Sequence, residues 1–299
     1  MTVHRTVAAM QADADAARSA GRRLVLVPTM GALHAGHLAL VEHARRLGDH
    51  VTVSVFVNPT QFGPGEDFEA YPRTLDADLG ALTEAGGVDA VFAPSASEMY
   101  PFGLPPYTTV RVRDLDRHLC GAHRPGHFEG VTSVVTKLFL ACRPHVAVFG
   151  EKDAQQLAIL RRMTAELGFG IEVVGHPIVR EPDGLALSSR NRYLSPAERA
   201  EALALSKAVR AAEAAVSLGV RDAEAVRDAM RAPFAEATGV RLQYAEVVDA
   251  DTLQPVERLA EESPSGGRYL AAVAAFVGDT RLIDNTTLRL GDSAEGRLP

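Results

Sequence analysis

Residues 24–37 read LVLVPTMGALHAGH, and this stretch decides the fold. Its first four residues form an apolar run that is typical of a strand buried in a parallel sheet. Apolar residues then recur at helical spacing at Leu40, Val41, Ala44 and Leu47. His34 and His37 therefore lie where a strand passes into a helix. Free backbone N–H groups are expected there, glycines let the backbone approach a ligand, and imidazoles can donate hydrogen bonds, so the stretch predicts a phosphate-binding turn.

Two other interpretations of His34 and His37 stay open. The pair could supply two zinc ligands, although the nearby sequence offers no third Cys, His or Glu at an obvious ligand spacing. The histidines could also be ordinary surface or helix-capping residues. The apolar run before them and the glycines around them favour the phosphate-binding interpretation.

The composition is that of a globular protein with room for two domains. The chain has 299 residues, of which 46% are hydrophobic and 23% charged, and its formal net charge is −7. That charge, without a basic cluster rich in aromatics, argues against a nucleic-acid partner. The sequence shows no basic-then-apolar leader and no apolar run near the roughly 18 residues of a membrane span, so we expect a cytoplasmic protein without a membrane partner. Cys120 and Cys142 form no CxxC pair, which agrees with a reducing compartment.

Strand-like runs alternate with helical patterns through the first part of the chain. The runs are Leu24–Val27, Val51–Val57, Ala90–Ala93, Val146–Phe149 and Ile171–Val174. Such alternation predicts an α/β protein with a doubly wound, Rossmann-like parallel sheet, in which ligands bind at the carboxyl ends of the strands. We assign residues 1–178 to this nucleotide-binding domain.

The pattern changes after residue 178. Alanine-rich helices are predicted at Pro196–Leu218 and Asp222–Thr238, and strands follow at Leu242–Val248 and Arg268–Val277. The two strands have no crossover helix between them, which favours a small antiparallel sheet. We therefore assign residues 179–290 to a smaller C-terminal α+β lid domain and residues 291–299 to a disordered tail.

A second group of polar residues follows the fourth strand-like run, in the segment Gly150-Glu151-Lys152-Asp153-Ala154-Gln155-Gln156. Lys152 can neutralise charge that builds on a triphosphate during displacement. Asp153 can cap the following helix or bind a ribose hydroxyl, and Gln156 can fix a small polar substrate. The alternative is a solvated charge run that merely begins a helix. The position of the segment after a buried strand favours the functional interpretation.

Three further segments carry candidate residues. The segment Leu187-Ser188-Ser189-Arg190-Asn191 could clamp phosphates when the second domain closes, or be an exposed loop before the next helix. Residues 124–130, RPGHFEG, could be functional or form a rigid turn before a helix that starts at Val131. Asp76 and Asp78 could hold Mg²⁺ through water or face solvent on a helix.

Six segments, taken in order, resemble the pantoate–β-alanine ligase family of the HIGH-type nucleotidyltransferase superfamily. They are Pro28–His37 with its His-x-Gly-His pattern, Asn58–Phe62, Tyr71–Arg73, Arg124–Gly130, Gly150–Gln156 and Leu187–Asn191. The resemblance covers essentially residues 20–290. It implies ATP-dependent condensation of (R)-pantoate with β-alanine to pantothenate, through a pantoyl adenylate, with release of AMP and pyrophosphate in coenzyme A biosynthesis. It also implies Mg²⁺ as a cofactor and a homodimer.

The resemblance further assigns roles to residues of this chain. His37 would be a proton donor, Gln61 would bind pantoate and β-alanine in turn, and Gln156 would bind pantoate. Val179 would contact the adenine. The remaining ATP contacts implied are Met30, Gly31, Ala32, Leu33, His34, Ala35, Gly36 and His37, then Gly150, Glu151, Lys152 and Asp153, and finally Leu187, Ser188, Ser189 and Arg190 at the phosphates.

Two positions depart from the family pattern. Leu187 stands where the family usually has methionine, and because this exchange conserves volume we expect nucleotide packing to be preserved. Asp78 matches a magnesium position of the family, but Ala77 lacks the neighbouring carboxylate seen in some relatives.

Rival functions make different demands on the same residues. A nucleotidyltransferase that builds a dinucleotide cofactor would not need the pair Gln61 and Gln156. A noncatalytic regulator would bind ATP without releasing pyrophosphate, and a zinc hydrolase would use His34 and His37 as ligands. The sequence has neither a G-x-S-x-G elbow nor a Walker A motif, so the ligase interpretation assigns phosphate binding to the histidine turn and needs no protein nucleophile.

Overall fold

A computed structural model describes residues 1–291 of the chain. Backbone contacts divide it into two compact units, the first made of Met1–Asp116 and Arg124–Val179, and the second made of Arg117–His123 and the chain from Arg180 onward. Most of the tail predicted to be disordered, residues 292–299, lies outside the described residues. Within the described part of the chain, no helix is both long and apolar enough to cross a membrane.

Strands and helices alternate through the first unit and segregate in the second. The strands are β1 (Thr2–His4), β2 (Leu24–Thr29), β3 (His50–Val55), β4 (Ala90–Phe92), β5 (Val146–Gly150), β6 (Glu172–His176), β7 (Val240–Asp249), β8 (Arg268–Val277) and β9 (Thr280–Arg289). The helices are α1 (Val7–Ser19), α2 (Ala35–Leu47), α3 (Leu75–Ala85), α4 (Ala96–Met99), α5 (Leu119–His123), α6 (His127–Cys142), α7 (Ala154–Glu166), α8 (Pro196–Ser217) and α9 (Ala223–Arg231). Shorter 3-10 turns occur at Pro59–Gln61, Glu151–Asp153, Ser189–Tyr193 and Ala232–Ala235.

The first unit is built on a parallel sheet with the strand order β1-β4-β3-β2-β5-β6. Side chains of β2 alternate between two cores: Leu24 and Leu26 pack with α1, α6 and α7, whereas Val25 and Val27 pack with α2 and α3. Both faces of the sheet are therefore covered by helices, which confirms the predicted doubly wound arrangement. Because β2 lies between β3 and β5, the segments that follow these three strands meet at one edge of the sheet.

The second unit contains an antiparallel sheet in the order β7-β8-β9. Helices α8 and α9 cover one face, where Leu205, Val209 and Met230 join a core with Val273 of β8. The predicted antiparallel sheet is confirmed, and β9 extends it by a strand that the sequence analysis did not identify. Helix α5 also belongs to this unit, although it lies in the middle of the first unit's sequence.

Two helix boundaries differ from the prediction. The helix expected over Asp222–Thr238 ends at Arg231 and continues as a 3-10 turn, since Pro233 cannot donate a backbone hydrogen bond. Helix α6 begins at His127 rather than Val131, because Gly126 adopts a left-handed conformation with φ of 80° and turns the chain directly into the helix.

Candidate active site

The predicted phosphate-binding turn lies between β2 and α2, and its two histidines cap the helix. His34 occupies the N-cap position, where its Nδ1 accepts a hydrogen bond from the N–H of Gly36 at 3.1 Å. The Nδ1 of His37 accepts in turn from the N–H of His34 at 3.4 Å, which completes a capping box made of two imidazoles. The ring centroids are 4.1 Å apart.

This cap fixes which ring nitrogen carries the proton. A nitrogen that accepts a hydrogen bond is unprotonated, so in the neutral form of each ring the proton is on Nε2. Burial, together with the charges of His34 and Lys152, lowers the pKa of His37 to about 3. The ring of His37 is therefore neutral near pH 7, and it can offer an N–H donor to an anion without contributing a positive charge.

The backbone of the turn is largely engaged by the protein itself. The N–H of Gly31 donates to Oγ1 of Thr29 at 3.1 Å. The N–H groups of Ala32 and Leu33 donate to the carboxylate of Asp78 at 3.1 and 2.8 Å. The prediction of free N–H groups is wrong for these three residues, and phosphate binding by the two imidazoles stays a prediction.

Asp78 does not have the surroundings of a magnesium ligand. Its side chain belongs to a residue that is 3% exposed, and its carboxylate also accepts from the hydroxyl of Thr74 at 3.3 Å. Mg²⁺ prefers an octahedral shell of oxygen atoms that includes several waters, whereas Asp78 is enclosed by hydrogen-bond donors of the turn. The sequence analysis offered Asp78 as a Mg²⁺ ligand, whereas in the structure its carboxylate accepts hydrogen bonds from the N–H groups of Ala32 and Leu33.

Zinc at His34 and His37 also lacks a supporting ligand set. Among residues 1–291, no cluster of three or more His, Cys, Asp or Glu side chains is arranged so that it could hold a metal ion. The hydrogen bonds that the two Nδ1 atoms accept belong to the helix cap. The phosphate-binding interpretation therefore keeps the better structural support.

Lys152 reaches the same edge of the sheet from β5, the neighbour of β2. It lies in the 3-10 turn after that strand, and its Nζ is 3.8 Å from the carboxylate of Asp153. Asp153 stands at the N-cap of α7 but makes no side-chain capping bond there, so its predicted capping role is wrong. Because β2 and β5 are adjacent parallel strands, the two motifs follow neighbouring strand ends, where Lys152 lowers and Asp153 raises the pKa of His37.

Gln61 lies beside the turn, at the end of the 3-10 turn that follows β3. Its Oε1 accepts from Nδ2 of Asn58 at 3.0 Å, and its Nε2 lies 3.2 Å from the sulfur of Met30. Asn58 is 1% exposed and is fixed by the Tyr100 hydroxyl, which donates to its Oδ1 at 2.6 Å. A thioether is a weak acceptor, so a substrate oxygen can replace Met30 as the partner of the Gln61 amide.

The backbone of Gln61 is held by the segment before α6. Nδ1 of His127 donates to the Gln61 carbonyl at 2.7 Å, and Nε2 of the same ring therefore accepts from Arg124 at 2.9 Å. Arg124 also pairs with both oxygens of Glu66, at 2.6 and 2.5 Å. Burial and the charge of Arg124 lower the pKa of His127 to about 4, so near pH 7 a neutral ring is hydrogen-bonded between Arg124 and the Gln61 carbonyl.

Tyr100 and Glu66 were not singled out by the sequence analysis. Each acts through a contact with a residue far away in the sequence, for which a single sequence carries no signal. Residues 124–130 were predicted to be either functional or a rigid turn. The hydrogen bonds of Arg124 and His127 to the Gln61 carbonyl favour a functional role. The sequence analysis named Asn58 only as part of the Asn58–Phe62 motif. The structure shows that it is buried and donates a hydrogen bond to the side chain of Gln61.

The remaining predicted residues of the first unit differ in exposure. Gln155 is 6% exposed and donates to the Leu115 carbonyl at 2.8 Å, so it is engaged in the interior. Gln156, the predicted pantoate ligand, is only partly buried on α7, and Glu151 is exposed. Val179 is partly buried after β6. Their contacts with substrates stay predictions.

The Leu187–Asn191 segment is held within the second unit by its own polar contacts. The hydroxyl of Ser188 accepts from the N–H of Arg190 at 3.3 Å and begins a 3-10 turn. Nδ2 of Asn191 donates to Glu181 at 2.9 Å, and Glu181 in turn pairs with Arg199 at 2.8 Å. The segment is therefore an ordered turn rather than a loose loop, while its contact with phosphates stays a prediction.

The doubly wound parallel sheet and the two-histidine turn after β2 are typical of an α/β nucleotide-binding protein. Comparisons with known proteins refine this class. The family model of pantoate-beta-alanine ligase matches residues 2–287. The chain is 60% identical over 295 residues to pantothenate synthetase of Salinibacter ruber, covering 97% of this chain and 98% of that protein. It belongs to the pantoate–β-alanine ligase family, and it is a ligase.

Solved structures agree with this assignment. The pantothenate synthetase of Thermus thermophilus matches with a TM-score of 0.86 and 46% identity, covering 96% of this chain and 99% of that one. The pantoate-beta-alanine ligase of Francisella tularensis, solved with beta-gamma ATP and beta-alanine, matches with a TM-score of 0.76 and 29% identity, covering 96% and 97%. The predicted family and fold are confirmed.

Proposed function

We propose that the chain joins pantoate to β-alanine at the expense of ATP, through a pantoyl adenylate, and releases pyrophosphate and then AMP. The observation that carries the proposal is that His34 and His37 follow β2 while Lys152 follows β5, so they lie at the carboxyl ends of two adjacent parallel strands. Gln61 lies in contact with the same turn through Met30. The family to which the chain belongs supplies the identity of the substrates.

The chemistry requires an activation step. A carboxylate is a poor electrophile, so an amine does not condense with it in neutral water. In the first step a carboxylate oxygen of pantoate attacks the α-phosphorus of ATP, the bond from that phosphorus to the bridging oxygen breaks, and pyrophosphate leaves. In the second step the neutral amine of β-alanine attacks the acyl carbon, AMP leaves, and the amine loses a proton.

Protein groups of the first unit match the charges that develop in the first step. Lys152 supplies an ammonium for the oxygens of the triphosphate as pyrophosphate departs. His34 and His37 supply Nε2–H donors whose direction is fixed by the helix cap. His37 acts in this proposal as a neutral hydrogen-bond donor rather than as the proton donor that the resemblance implied, because with a pKa of about 3 the ring does not carry the second, acidic proton of an imidazolium near pH 7.

Gln61 orients the attacking substrate. Its amide is held by the buried Asn58 and its carbonyl by His127, so both ends of the residue are fixed before substrate arrives. Orientation of this kind lowers the entropic part of the barrier. We assign Gln61 to pantoate in the first step and to β-alanine in the second, and Gln156 to pantoate.

Magnesium enters the proposal only as a counter-ion that accompanies ATP. Asp78 is not placed to hold it, and no step is assigned to a protein-held metal. The cytoplasmic location predicted from the sequence is retained as part of the proposal. It is supported by the two cysteines of the chain, Cys120 and Cys142, which are free thiols.

We also propose that the protein is a homodimer. Phe102, Leu104 and Tyr107 of the first unit are 86%, 50% and 93% exposed, which is unusual for large apolar side chains so close in sequence. A second copy of the chain is the partner that the family suggests. Sedimentation analysis should give a dimer for the wild-type protein and a monomer for Tyr107→Lys, and a monomeric wild type would overturn this part.

The function is tested by product analysis. Purified protein is incubated with ATP, Mg²⁺ and pantoate, with and without β-alanine, and pyrophosphate, AMP and pantothenate are quantified. The proposal expects steady pyrophosphate and AMP release only with both substrates, together with pantothenate of the correct mass. ATP binding without turnover would favour a regulator, and turnover with another acceptor would favour a different transferase.

A further inference from the structure

The carboxylate of Asp78, at the start of α3, accepts hydrogen bonds from the backbone of the histidine turn between β2 and α2. One oxygen accepts from the N–H of Leu33 at 2.8 Å, and the other accepts from the N–H of Ala32 at 3.1 Å and from Oγ1 of Thr74 at 3.3 Å. The residue is 3% exposed. These contacts join α3 to the turn that carries His34 and His37, across a long separation in sequence.

The turn that Asp78 holds has an unfavourable backbone conformation. Gly31 and Ala32 have φ values of 80° and 50°, in the left-handed region. Glycine adopts this region without cost, but alanine does so at a cost in free energy because of its Cβ atom. Ala32 is therefore kept in this conformation by outside contacts, and its hydrogen bond to Asp78 is one of them.

Gly31 and Asp78 are also fitted to one another. A Cβ atom on Gly31 would lie 2.9 Å from Oδ2 of Asp78, closer than side-chain atoms normally approach. The carboxylate thus occupies the space that a side chain at position 31 would need. Close packing and two hydrogen bonds together determine the path of the backbone from β2 to the N-cap at His34.

We propose that Asp78 is a positioning residue for the histidine turn and not a magnesium ligand. Its carboxylate sets the conformation of Ala32 and Leu33, and through them the directions in which His34 and His37 present their Nε2–H groups. The inference concerns the site of the proposed function and rests on it for the kinetic part of its test. Its structural part can be measured without any substrate.

The test compares Asp78→Asn with Asp76→Asn. Both residues lie in the first turn of α3, and both changes remove one negative charge near its N-terminus, but Asp76 is exposed, whereas Asp78 is buried against the turn. For Asp78→Asn we expect pyrophosphate release to slow by about 10- to 100-fold, because small displacements of catalytic groups have effects of this size. The Mg²⁺ concentration for half-maximal rate should be unchanged, and Asp76→Asn should match the wild type.

A second change separates positioning from metal binding. Adding Ala32→Gly to Asp78→Asn removes the backbone cost at position 32, so we expect the double variant to regain at least part of the lost rate. A magnesium ligand would not be replaced by this change. If Asp78→Asn does not fold, the double variant is compared directly with Ala32→Gly alone.

Amide hydrogen exchange provides the readout that needs no activity. The amides of Ala32 and Leu33 should exchange faster in Asp78→Asn than in the wild type or Asp76→Asn, whatever reaction the protein catalyses. Unchanged exchange together with a rate within threefold of the wild type would overturn the proposal. A Mg²⁺ requirement raised tenfold, with the rate restored by excess Mg²⁺, would overturn it in favour of metal binding. Faster exchange without any pantothenate from the wild type would leave the positioning role intact and reject the proposed function.

Discussion

Replacing Lys152 by alanine should slow adenylate formation without unfolding the protein. Loss of one preorganised donor at a site of developing charge typically costs roughly 2.7–4 kcal/mol, or 10²- to 10³-fold in rate. The Lys152 side chain is 22% exposed, so water partly screens its charge and we expect the lower end, about 10²-fold. Its ion pair with Asp153, at 3.8 Å, joins partly exposed groups and contributes less than about 1 kcal/mol to folding.

The assay for this prediction isolates the first chemical step. Pyrophosphate release is followed in a single turnover with ATP, Mg²⁺ and pantoate, in the absence of β-alanine. Lys207→Ala removes an exposed lysine of α8 in the second unit and serves as the matched control. Lys152→Arg keeps the charge but replaces the compact ammonium by a planar fork, so it should recover only part of the rate.

A rate for Lys152→Ala within threefold of the wild type would refute the assignment of Lys152 to the developing phosphate charge. A loss of the same size in Lys207→Ala would show that the effect is not specific to the site. Urea unfolding of each variant, followed by far-UV circular dichroism, checks that the fold is preserved.

Three other predictions follow from the same contacts. The pKa values of about 3 for His37 and about 4 for His127 lie below that of an unfolded histidine, so the unfolded state binds more protons as the pH falls. The free energy of unfolding should therefore fall by up to roughly 2 kcal/mol per residue from pH 7.5 to pH 5. Urea titrations that give the same free energy of unfolding at both pH values would contradict this. Gly130→Ala should destabilise the protein by at least about 1–3 kcal/mol and weaken pantoate binding, since a Cβ atom there would lie 2.2 Å from the Thr60 carbonyl oxygen; an unchanged melting temperature and KM would speak against this packing. His127→Asn retains a donor near the position of Nδ1 and should keep the KM for pantoate within a few-fold of the wild type. His127→Ala should raise this KM by about tenfold, because the hydrogen bond to the Gln61 carbonyl is lost. Equal KM values for the two variants would show that His127 does not position Gln61.

Much of the first unit's sheet could be predicted because its strands are continuous apolar runs. The run at β2 is buried on both faces, and such runs differ clearly from their surroundings in sequence. β1 was missed, since Thr2–His4 is short and has only one aliphatic residue. β9 was missed although Gly278-Asp279, the two residues that join it to β8, is a hairpin signal that could have found it.

The candidate site could be located from the sequence but not assembled from it. Motifs at strand ends indicated His34, His37, Lys152 and Gln61, because parallel strands bring their carboxyl ends together. The partners of these residues were not predictable. Asp78 was assigned to magnesium because it matches a magnesium position of the family, and only the three-dimensional structure shows that its oxygens accept from the turn.

Isotope transfer from pantoate tests the adenylate mechanism most directly. Pantoate labelled with ¹⁸O in both carboxylate oxygens is converted with ATP and β-alanine, and the products are analysed by mass spectrometry. Attack of the carboxylate on the α-phosphorus predicts one ¹⁸O atom in AMP and one in the new amide of pantothenate. Unlabelled AMP, or formation of ADP with labelled phosphate, would contradict the account.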